Sequence, residues 1–217
     1  MAKMKPFKFS LILAGILVCS ISLQARALPP EHEEHLQAKW AQSIQDLQVA
    51  QNQANESEAI RRYIAKYHPQ VSSVDAQQIS EEIVIQSKEQ QLDPKWVAAI
   101  IDAESGFNKR AANRSGAKGL GQLMASTYRQ FKIQNPYDIK ENLTATVQYL
   151  KGLVSMWDGH SLQLSFALAA YLRGEIAVKR AKGDFSNFTV SYVDAVFKRY
   201  QKVCQIRNDL ANPSAVQ

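Results

Sequence analysis

The sequence is poor in cysteine, which limits how its fold can be stabilised. Cys19 and Cys204 are the two cysteines among 217 residues, and Cys19 lies in an N-terminal stretch that we expect to be removed on export. The mature chain then keeps Cys204 alone, so it has no internal disulfide. Its 190 residues are long enough to bury a core without one. We therefore expect one compact domain with an appended segment, held by packing.

The N-terminal stretch also lacks the length needed to span a bilayer comfortably. Its apolar part, Leu11 to Leu23, has 13 residues, whereas a transmembrane helix needs about 20. Basic residues precede it, and the small-x-small sequence Ala25-Arg26-Ala27 follows it. This combination is typical of a cleavable signal peptide. We predict that residues 1–27 are a signal peptide and that the protein is periplasmic or secreted. An uncleaved anchor is the alternative.

A strong excess of charge is absent once this segment is set aside. The full chain has 26 Lys and Arg against 20 Asp and Glu. Four of the basic residues lie in the predicted signal peptide, so the mature chain has 22 basic and 20 acidic residues and a net charge of +2 (Lys3, Lys5, Lys8 and Arg26). The basic balance of the full chain belongs largely to the export signal. A nucleic-acid partner is therefore disfavoured.

Alternating strands at regular spacing and internal repeats are also lacking, and the fold class that we predict is all-α. Residues 28–73 are predicted to be an N-terminal helical extension with two helices, one over Glu31 to Asn55 and one from Ser57 to the His68-Pro69 pair. Four apolar residues of the first helix are spaced for one face (Leu36, Trp40, Ile44 and Leu47). The extension is interpreted as a docking arm for a cell-envelope partner or as a brace. Residues 74–205 are predicted to form the main domain and residues 206–217 a C-terminal tail.

One helix of the main domain ends on a carboxyl group. Asp93 is a suitable N-cap, and Pro94 fits the first helical position, where a missing N–H costs nothing. Glu104 shares the apolar stripe of Ile100 and Ile101 and should emerge at the rim of the core. Desolvation there disfavours the charged form of the carboxyl, and a protonated carboxyl is what glycosidic cleavage needs to protonate the leaving oxygen. A structural ion pair with Lys or Arg is the alternative.

A glycine-rich segment follows this helix. Gly116, Gly119 and Gly121 lie within six residues. Glycine lets a backbone approach a ligand closely and expose its N–H and C=O groups, which suits a sugar. The segment lacks the Lys-Ser/Thr pattern of phosphate-binding loops. By itself it fits a connector as well as a binding site.

Together these segments resemble the lysozyme-like soluble lytic transglycosylases of the SLT type. The likeness covers about residues 75–203, in the family's order and at similar spacing. The matching motifs are Glu104-Ser105-x-Phe107-Asn108, Gly116-Ala117-x-Gly119-Leu120-x-Gln122-Leu123-Met124-x-x-Thr127, Asn135-Pro136, Asn142-Leu143, Tyr149-Leu150, Ala167-Leu168-Ala169-Ala170-Tyr171 and Tyr192-Val193. The resemblance implies a lysozyme-like helical domain with a cleft for a peptidoglycan strand, and we expect a monomer.

The resemblance also implies roles for six residues. Glu104 stands where the family has its lone catalytic acid. Five residues match substrate-binding positions or aromatics near the acid (Ser105, Gln122, Met124, Tyr171 and Tyr192). Met124 and Tyr171 have an alternative as ordinary core residues. The resemblance implies no metal and no organic cofactor.

The expected reaction is cleavage of the bond between N-acetylmuramic acid and N-acetylglucosamine (MurNAc–GlcNAc). Most glycosidases use a pair of carboxylates, but no second one appears in the matching motifs, and Asp102 lies on a different face of the helix from Glu104. The resemblance implies that the acetamido group of the substrate assists and that its 6-hydroxyl then attacks, which leaves a 1,6-anhydromuramyl end. One alternative is a hydrolytic lysozyme that uses Asp138 or Glu141. Another is a non-catalytic peptidoglycan-binding or scaffold protein.

The chain departs from the family pattern at three places. Leu172-Arg173-Gly174-Glu175 follows Tyr171, where the family has Asn-Ala-Gly-Pro. Gly121 stands where the family has Met or Phe before the Gln. Phe188-Thr189 stands where the family has Glu-Thr. These changes leave the acid intact but remove a polar contact with substrate, so turnover or glycan preference is expected to differ.

Overall fold

The computed structural model describes residues 30–212, which form eight α-helices and no β-strand. The helices are α1 (Pro30–Tyr67), α2 (Ser73–Glu89), α3 (Pro94–Ser105), α4 (Ala125–Gln130), α5 (Ile139–Ser155), α6 (Gln163–Arg173), α7 (Glu175–Ala181) and α8 (Asn187–Ala211). Two isolated β-bridges lie between α3 and α4 (Ala112 with Lys118, and Lys118 with Leu123). The all-α prediction is confirmed. The predicted signal peptide lies outside the described residues.

The chain divides into two compact units within α1, between Val49 and Ala50. In the first unit, the described part of α1 carries exposed apolar side chains at Trp40, Ile44 and Leu47. None of the helices within residues 30–212 has the length and apolar character to cross a membrane.

The prediction of two separate helices in the N-terminal extension was wrong, because α1 continues without a break from Pro30 to Tyr67. Residues 52–58 contain no Pro or Gly that would end a helix. Ser57, a suitable N-cap residue, instead places its Oγ 3.1 Å from the Oγ of Ser80 in α2. The hydroxyl is therefore used in a contact between helices and not to begin a new one. The end of α1 at Tyr67 agrees with the prediction from His68-Pro69.

In the second unit, α3 is the central helix, and six successive residues from Val97 to Asp102 are buried. It packs against α2 and α8, while α5 packs against α2 and α6. The last turns of α1 belong to the same core through three side chains that are almost fully buried (Ile60, Tyr63 and Ile64). The unit that positions the end of α3 therefore includes part of α1.

Local signals locate the ends of α3. The Oδ1 of Asp93 accepts a hydrogen bond from the backbone N–H of Lys95 at 2.9 Å, and Pro94 takes the first helical position. Both features were predicted and are confirmed. At the other end Gly106 adopts a left-handed conformation with φ of 57°, and its N–H donates to the carbonyl of Asp102 at 3.0 Å. A left-handed residue at this position ends a helix, so Glu104 lies in the last turn of α3.

Apolar residues at helical spacing predict three later helices, over residues 142–157, 162–172 and 190–203. All three are present with shifted ends. α5 begins at Ile139, three residues before the predicted start, and is capped by Asp138. α6 matches within one residue. Ser186 caps α8, which begins earlier than predicted and continues to Ala211, beyond the domain end expected at 205. The short helices α4 and α7 were not predicted. The domain boundaries drawn from the sequence stay predictions.

Candidate active site

Glu104 is held between the core and a neighbouring helix. The hydroxyl of Tyr192, in the second turn of α8, donates a hydrogen bond of 2.5 Å to Oε1 of Glu104. Burial raises the pKa of Glu104 above its ordinary value of 4.5, and the hydrogen bond from Tyr192 acts in the opposite direction with smaller effect. The desolvation expected from the apolar stripe is therefore present. A carboxyl in this environment holds its proton to a higher pH than a solvated one.

Tyr171 is bound to the glycine-rich loop and lies within range of the charge of Glu104. Its hydroxyl donates a hydrogen bond of 2.7 Å to the carbonyl of Gly121. Burial raises the pKa of Tyr171 well above 10, and the negative charge of Glu104 raises it further. The ring of Tyr149 lies 5.5 Å from that of Tyr171, centroid to centroid. The negative charge of Glu104 therefore raises the pKa of both predicted aromatics, Tyr171 and Tyr192.

The glycine-rich loop is anchored by Asn142, which is almost fully buried in α5. Its Oδ1 accepts a hydrogen bond from the N–H of Gly121 at 2.9 Å, and its Nδ2 donates to the carbonyl of Pro136 at 2.9 Å. Asn142 belongs to one of the matching motifs, but the motif predicted no role for it. Its amide, with a donor and an acceptor on one planar group, can bind two backbone segments at once.

Gly119 is needed by the protein itself and not for the approach of a ligand. A Cβ at this position would lie 2.1 Å from the carbonyl oxygen of Pro136 and 2.2 Å from Nδ2 of Asn142, and φ is 75°. Gly116 differs, because a Cβ there would meet nothing within 4 Å. At Gly119 the backbone packs against the 135–142 segment, so this glycine leaves no room for a ligand. At Gly116 the close approach of a ligand stays a prediction.

The remaining predicted site residues lie near these groups with different exposure. Gln122 has φ of 47° and donates from Nε2 to the carbonyl of Gly119 at 3.0 Å. Met124 is 44% exposed, which is not consistent with the alternative of a core residue. Ser105 directly follows Glu104, but its Oγ donates to the carbonyl of Ile101 at 3.1 Å within α3. Its hydroxyl is therefore turned to its own helix.

Asp102 faces away from Glu104, as the helical spacing predicts. Its carboxylate is buried and accepts a hydrogen bond from the hydroxyl of Tyr63. Oδ1 of Asp102 lies 3.2 Å from Nε2 of His68 and 3.1 Å from Nε of Arg199. This cluster joins the C-terminal end of α1 to α3 and α8. No local pattern predicts this cluster, because its members are far apart along the chain.

The two carboxylates considered for a hydrolytic mechanism are used to build a turn. Oδ1 of Asp138 accepts from the N–H of Glu141 at 2.9 Å. Oε2 of Glu141 accepts from the N–H groups of Gln134 and Asn135 at 2.7 and 2.9 Å. The pKa of Glu104 responds to burial and to Tyr192, with no effect from either of these carboxylates.

The family model of the transglycosylase SLT domain matches residues 82–192. This chain belongs to the transglycosylase SLT family. The match includes Glu104, the glycine-rich loop and both tyrosines, and it confirms the resemblance drawn from the motifs. The lysozyme-like SLT-type fold follows from this match and from the structural relative described below.

Several proteins are similar to this SLT domain. Membrane-bound lytic murein transglycosylase F of Desulfosudis oleivorans is 36% identical over 93 residues, which cover 42% of this chain and 20% of that protein. The protein of the same name from Shewanella woodyi is 30% identical over 94 residues, which again cover 42% of this chain and 20% of that protein. The transglycosylase of Enterobacteria phage PRD1 is 39% identical over 57 residues, which cover 26% of this chain and 22% of that protein. The chain thus spans about a fifth of the length of the curated relatives it matches.

A solved structure has the same fold. It is lytic transglycosylase Slt of Pseudomonas aeruginosa, an inactive mutant with glutamine in place of one glutamate. The TM-score is 0.51 at 26% sequence identity, and the superposition covers 58% of this chain and 24% of that one.

Proposed function

We propose that this SLT domain is a lytic transglycosylase that cleaves the MurNAc–GlcNAc bond of peptidoglycan and leaves a 1,6-anhydromuramyl end. The observation that carries the proposal is the half-buried carboxyl of Glu104, which has a raised pKa and accepts a hydrogen bond from Tyr192. Two relatives are named as lytic murein transglycosylases, and the Slt structure is an inactive Glu-to-Gln mutant. Both facts support an essential glutamate acting on murein.

In the proposed first step, protonated Glu104 gives its proton to the glycosidic oxygen. The bond from C1 of MurNAc to that oxygen breaks, and the GlcNAc product leaves with a 4-hydroxyl. The acetamido oxygen of MurNAc attacks C1 and takes the place of a second protein carboxylate. Glu104 is now ionised, and the hydrogen bond from Tyr192 stabilises its negative charge.

In the second step, the 6-hydroxyl of the same MurNAc attacks C1 and displaces the acetamido oxygen. Its proton passes to Glu104, which thereby returns to its starting state. No water is consumed. The opposing influences on Glu104 suit both roles, because burial favours the protonated acid and Tyr192 favours the ionised base.

The substrate-binding roles of the other predicted residues are part of the proposal. Met124 offers an exposed apolar surface at the start of α4, against which a sugar face can pack. Gly116 leaves an open backbone at the turn of the loop, and the amide of Gln122 lies on the same loop. Ser105 would have to give up its bond to Ile101 to bind the sugar.

The location and protein partner of the chain also belong to this proposal. We infer that it acts in the periplasm or outside the cell, since its curated relatives are murein transglycosylases. The exposed apolar side chains of Trp40, Ile44 and Leu47 support the binding of a cell-envelope protein to the first unit.

The test is product analysis on purified sacculi, with the mature protein and its Glu104→Gln variant. Gln keeps the size of Glu but has no proton to give. Anhydro ends from the wild type and none from the variant, with equal melting temperatures (Tm), support the proposal. Reducing ends would instead assign a hydrolytic lysozyme. Binding of sacculi by both proteins without release of fragments would assign a non-catalytic protein.

A further inference from the structure

The backbone of Gly121 is held on both sides by side chains of two neighbouring helices. Its N–H donates to Oδ1 of Asn142 at 2.9 Å, and its carbonyl accepts from the hydroxyl of Tyr171 at 2.7 Å. Asn142 belongs to α5 and Tyr171 to α6. The residue that directly precedes Gln122 in the loop is thus fixed to two helices of the core.

The space that a side chain at position 121 would occupy is filled by Thr146. A Cβ on Gly121 would lie 2.1 Å from Oγ1 and 2.9 Å from Cγ2 of Thr146, and 2.9 Å from the hydroxyl of Tyr171. Gly121 does not have the positive φ of Gly116 and Gly119. The need for glycine at this position is therefore steric, and it comes mainly from Thr146, with the Tyr171 hydroxyl as the second neighbour.

Thr146 also contacts the groups that hold Gly121. It is fully buried in α5, one turn after Asn142, and its Oγ1 lies 3.5 Å from Oδ1 of that residue. A Cβ on Gly121 would approach both Oγ1 of Thr146 and the hydroxyl of Tyr171, so these two hydroxyl groups are neighbours. The hydroxyl of Thr146 thus lies between the acceptor and the donor that bind the Gly121 peptide.

We propose that Thr146 is a positioning residue that forms a matched pair with Gly121. Together the two residues hold Tyr171 and the Gln122 loop in place beside Glu104. The inference rests on the proposed function, because cleavage of glycan strands is its readout. Thr146 fills the volume that Gly121 leaves free and orients the hydroxyl of Tyr171 toward the Gly121 carbonyl. The departure from the family pattern at position 121 is thus compensated inside the fold.

A double-mutant cycle tests the pairing. We expect Gly121→Ala to lower kcat about 10²-fold, since a displacement of about 1 Å at a site can have this effect. Thr146→Ala, which removes Oγ1 and Cγ2, should lower kcat about tenfold by releasing Tyr171. The double variant should lie within about threefold of Thr146→Ala alone, because the contacts with Oγ1 and Cγ2 are gone and only the 2.9 Å approach to the Tyr171 hydroxyl is left. Losses that multiply in the double variant would overturn the proposal.

A second pair of variants separates the hydroxyl from the volume. Thr146→Ser keeps Oγ1, and Thr146→Val keeps the shape with a methyl in its place. If Thr146 acts by positioning Tyr171, kcat of Thr146→Ser should stay within about twofold of the wild type, and kcat of Thr146→Val should fall about tenfold. KM should be unchanged in both variants. Normal kcat in Thr146→Val would overturn the proposal. This test does not depend on Gly121→Ala, so it holds even if that variant fails to fold. Thr144→Ala is the control on the same helix, two residues away and on another face.

The same assay separates this inference from the proposed function. Anhydro ends from the wild type, with none from Glu104→Gln, establish the chemistry first. Additive losses in the Gly121 and Thr146 cycle would then overturn only the pairing. An inactive wild type would overturn the proposed function, and with it the inference that rests on it.

Discussion

The hydroxyl of Tyr192 donates a hydrogen bond to the carboxyl of Glu104 from 88 residues further along the chain. Within residues 30–212 this is the one side-chain hydrogen bond that influences the pKa of Glu104, and it opposes the larger effect of burial. The balance between the two determines the fraction of Glu104 that carries a proton at a given pH. It can be changed with little effect on the packing, because Phe has nearly the shape of Tyr.

We expect Tyr192→Phe to move the pH profile of activity. Without this hydrogen bond only desolvation remains, so the pKa of Glu104 rises further. Activity that needs the protonated acid falls as pH rises through this pKa, and the fall should therefore occur at higher pH in the variant. The maximum kcat should drop by about tenfold or more, since the ionised base of the second step loses its donor. An unchanged alkaline limb of kcat/KM would contradict the assignment.

The raised pKa of Glu104 also predicts how stability depends on pH. A carboxyl whose folded pKa lies above the unfolded value of 4.5 binds its proton more tightly in the folded state, so folding is penalised as pH rises from 4.5 through the folded pKa. Glu104→Gln removes this penalty. We expect the variant to melt at a higher temperature than the wild type at neutral pH, where about 2–4 °C corresponds to each kcal/mol in a domain of this size. The difference should disappear near pH 4, and a constant difference would argue against desolvation.

The two glycines of the loop allow a matched comparison. Gly116→Ala adds strain from the left-handed backbone alone, which costs about 1–2 kcal/mol. Gly119→Ala adds the same strain and places a Cβ against the carbonyl of Pro136 and the amide of Asn142. Overpacking of this kind costs about 1–3 kcal/mol more. Urea titrations of both variants measure the difference, and equal losses of unfolding free energy would show that the loop is not packed as described.

Asp102 should matter for stability and not for the chemistry. Asp102→Asn leaves Arg199 without its buried counter-charge, which we expect to cost about 3 kcal/mol of unfolding free energy. Asp194→Asn is the control, because its pair with Lys198 is exposed and such pairs contribute little. The folded Asp102→Asn variant should still yield anhydro ends at a rate within a few fold of the wild type. Loss of all cleavage with normal stability would indicate that Asp102 takes part in the reaction.

The sequence predicts those parts of the site that depend on local pattern. The Asp93 cap, the Pro94 start and the apolar stripe locate Glu104 in the last turn of α3, because each acts over one or two helical turns. The raised pKa follows from the same stripe. These features require no knowledge of the other helices.

The parts that were missed depend on residues far apart in sequence. Ser57 carries the signal of a helix start, but a contact with Ser80 in another helix competes for its hydroxyl. Gly119 and Gly121 are glycines because of Asn142 and Thr146, which the sequence places more than 20 residues later. The six-residue helix α4 and the seven-residue helix α7 are too short for a clear apolar period.

The last turns of α1 contribute three buried side chains to the core around α3. Two partners of Asp102 also come from this region, Tyr63 in α1 and His68 directly after it. A chain shortened to begin at residue 74 would lack Ile60, Tyr63, Ile64 and His68. Water would reach the apolar surfaces of α2 and α3, and the Asp102 carboxylate would keep Arg199 alone. The shortest chain that supports the end of α3 therefore starts within the long first helix, ahead of Ala59.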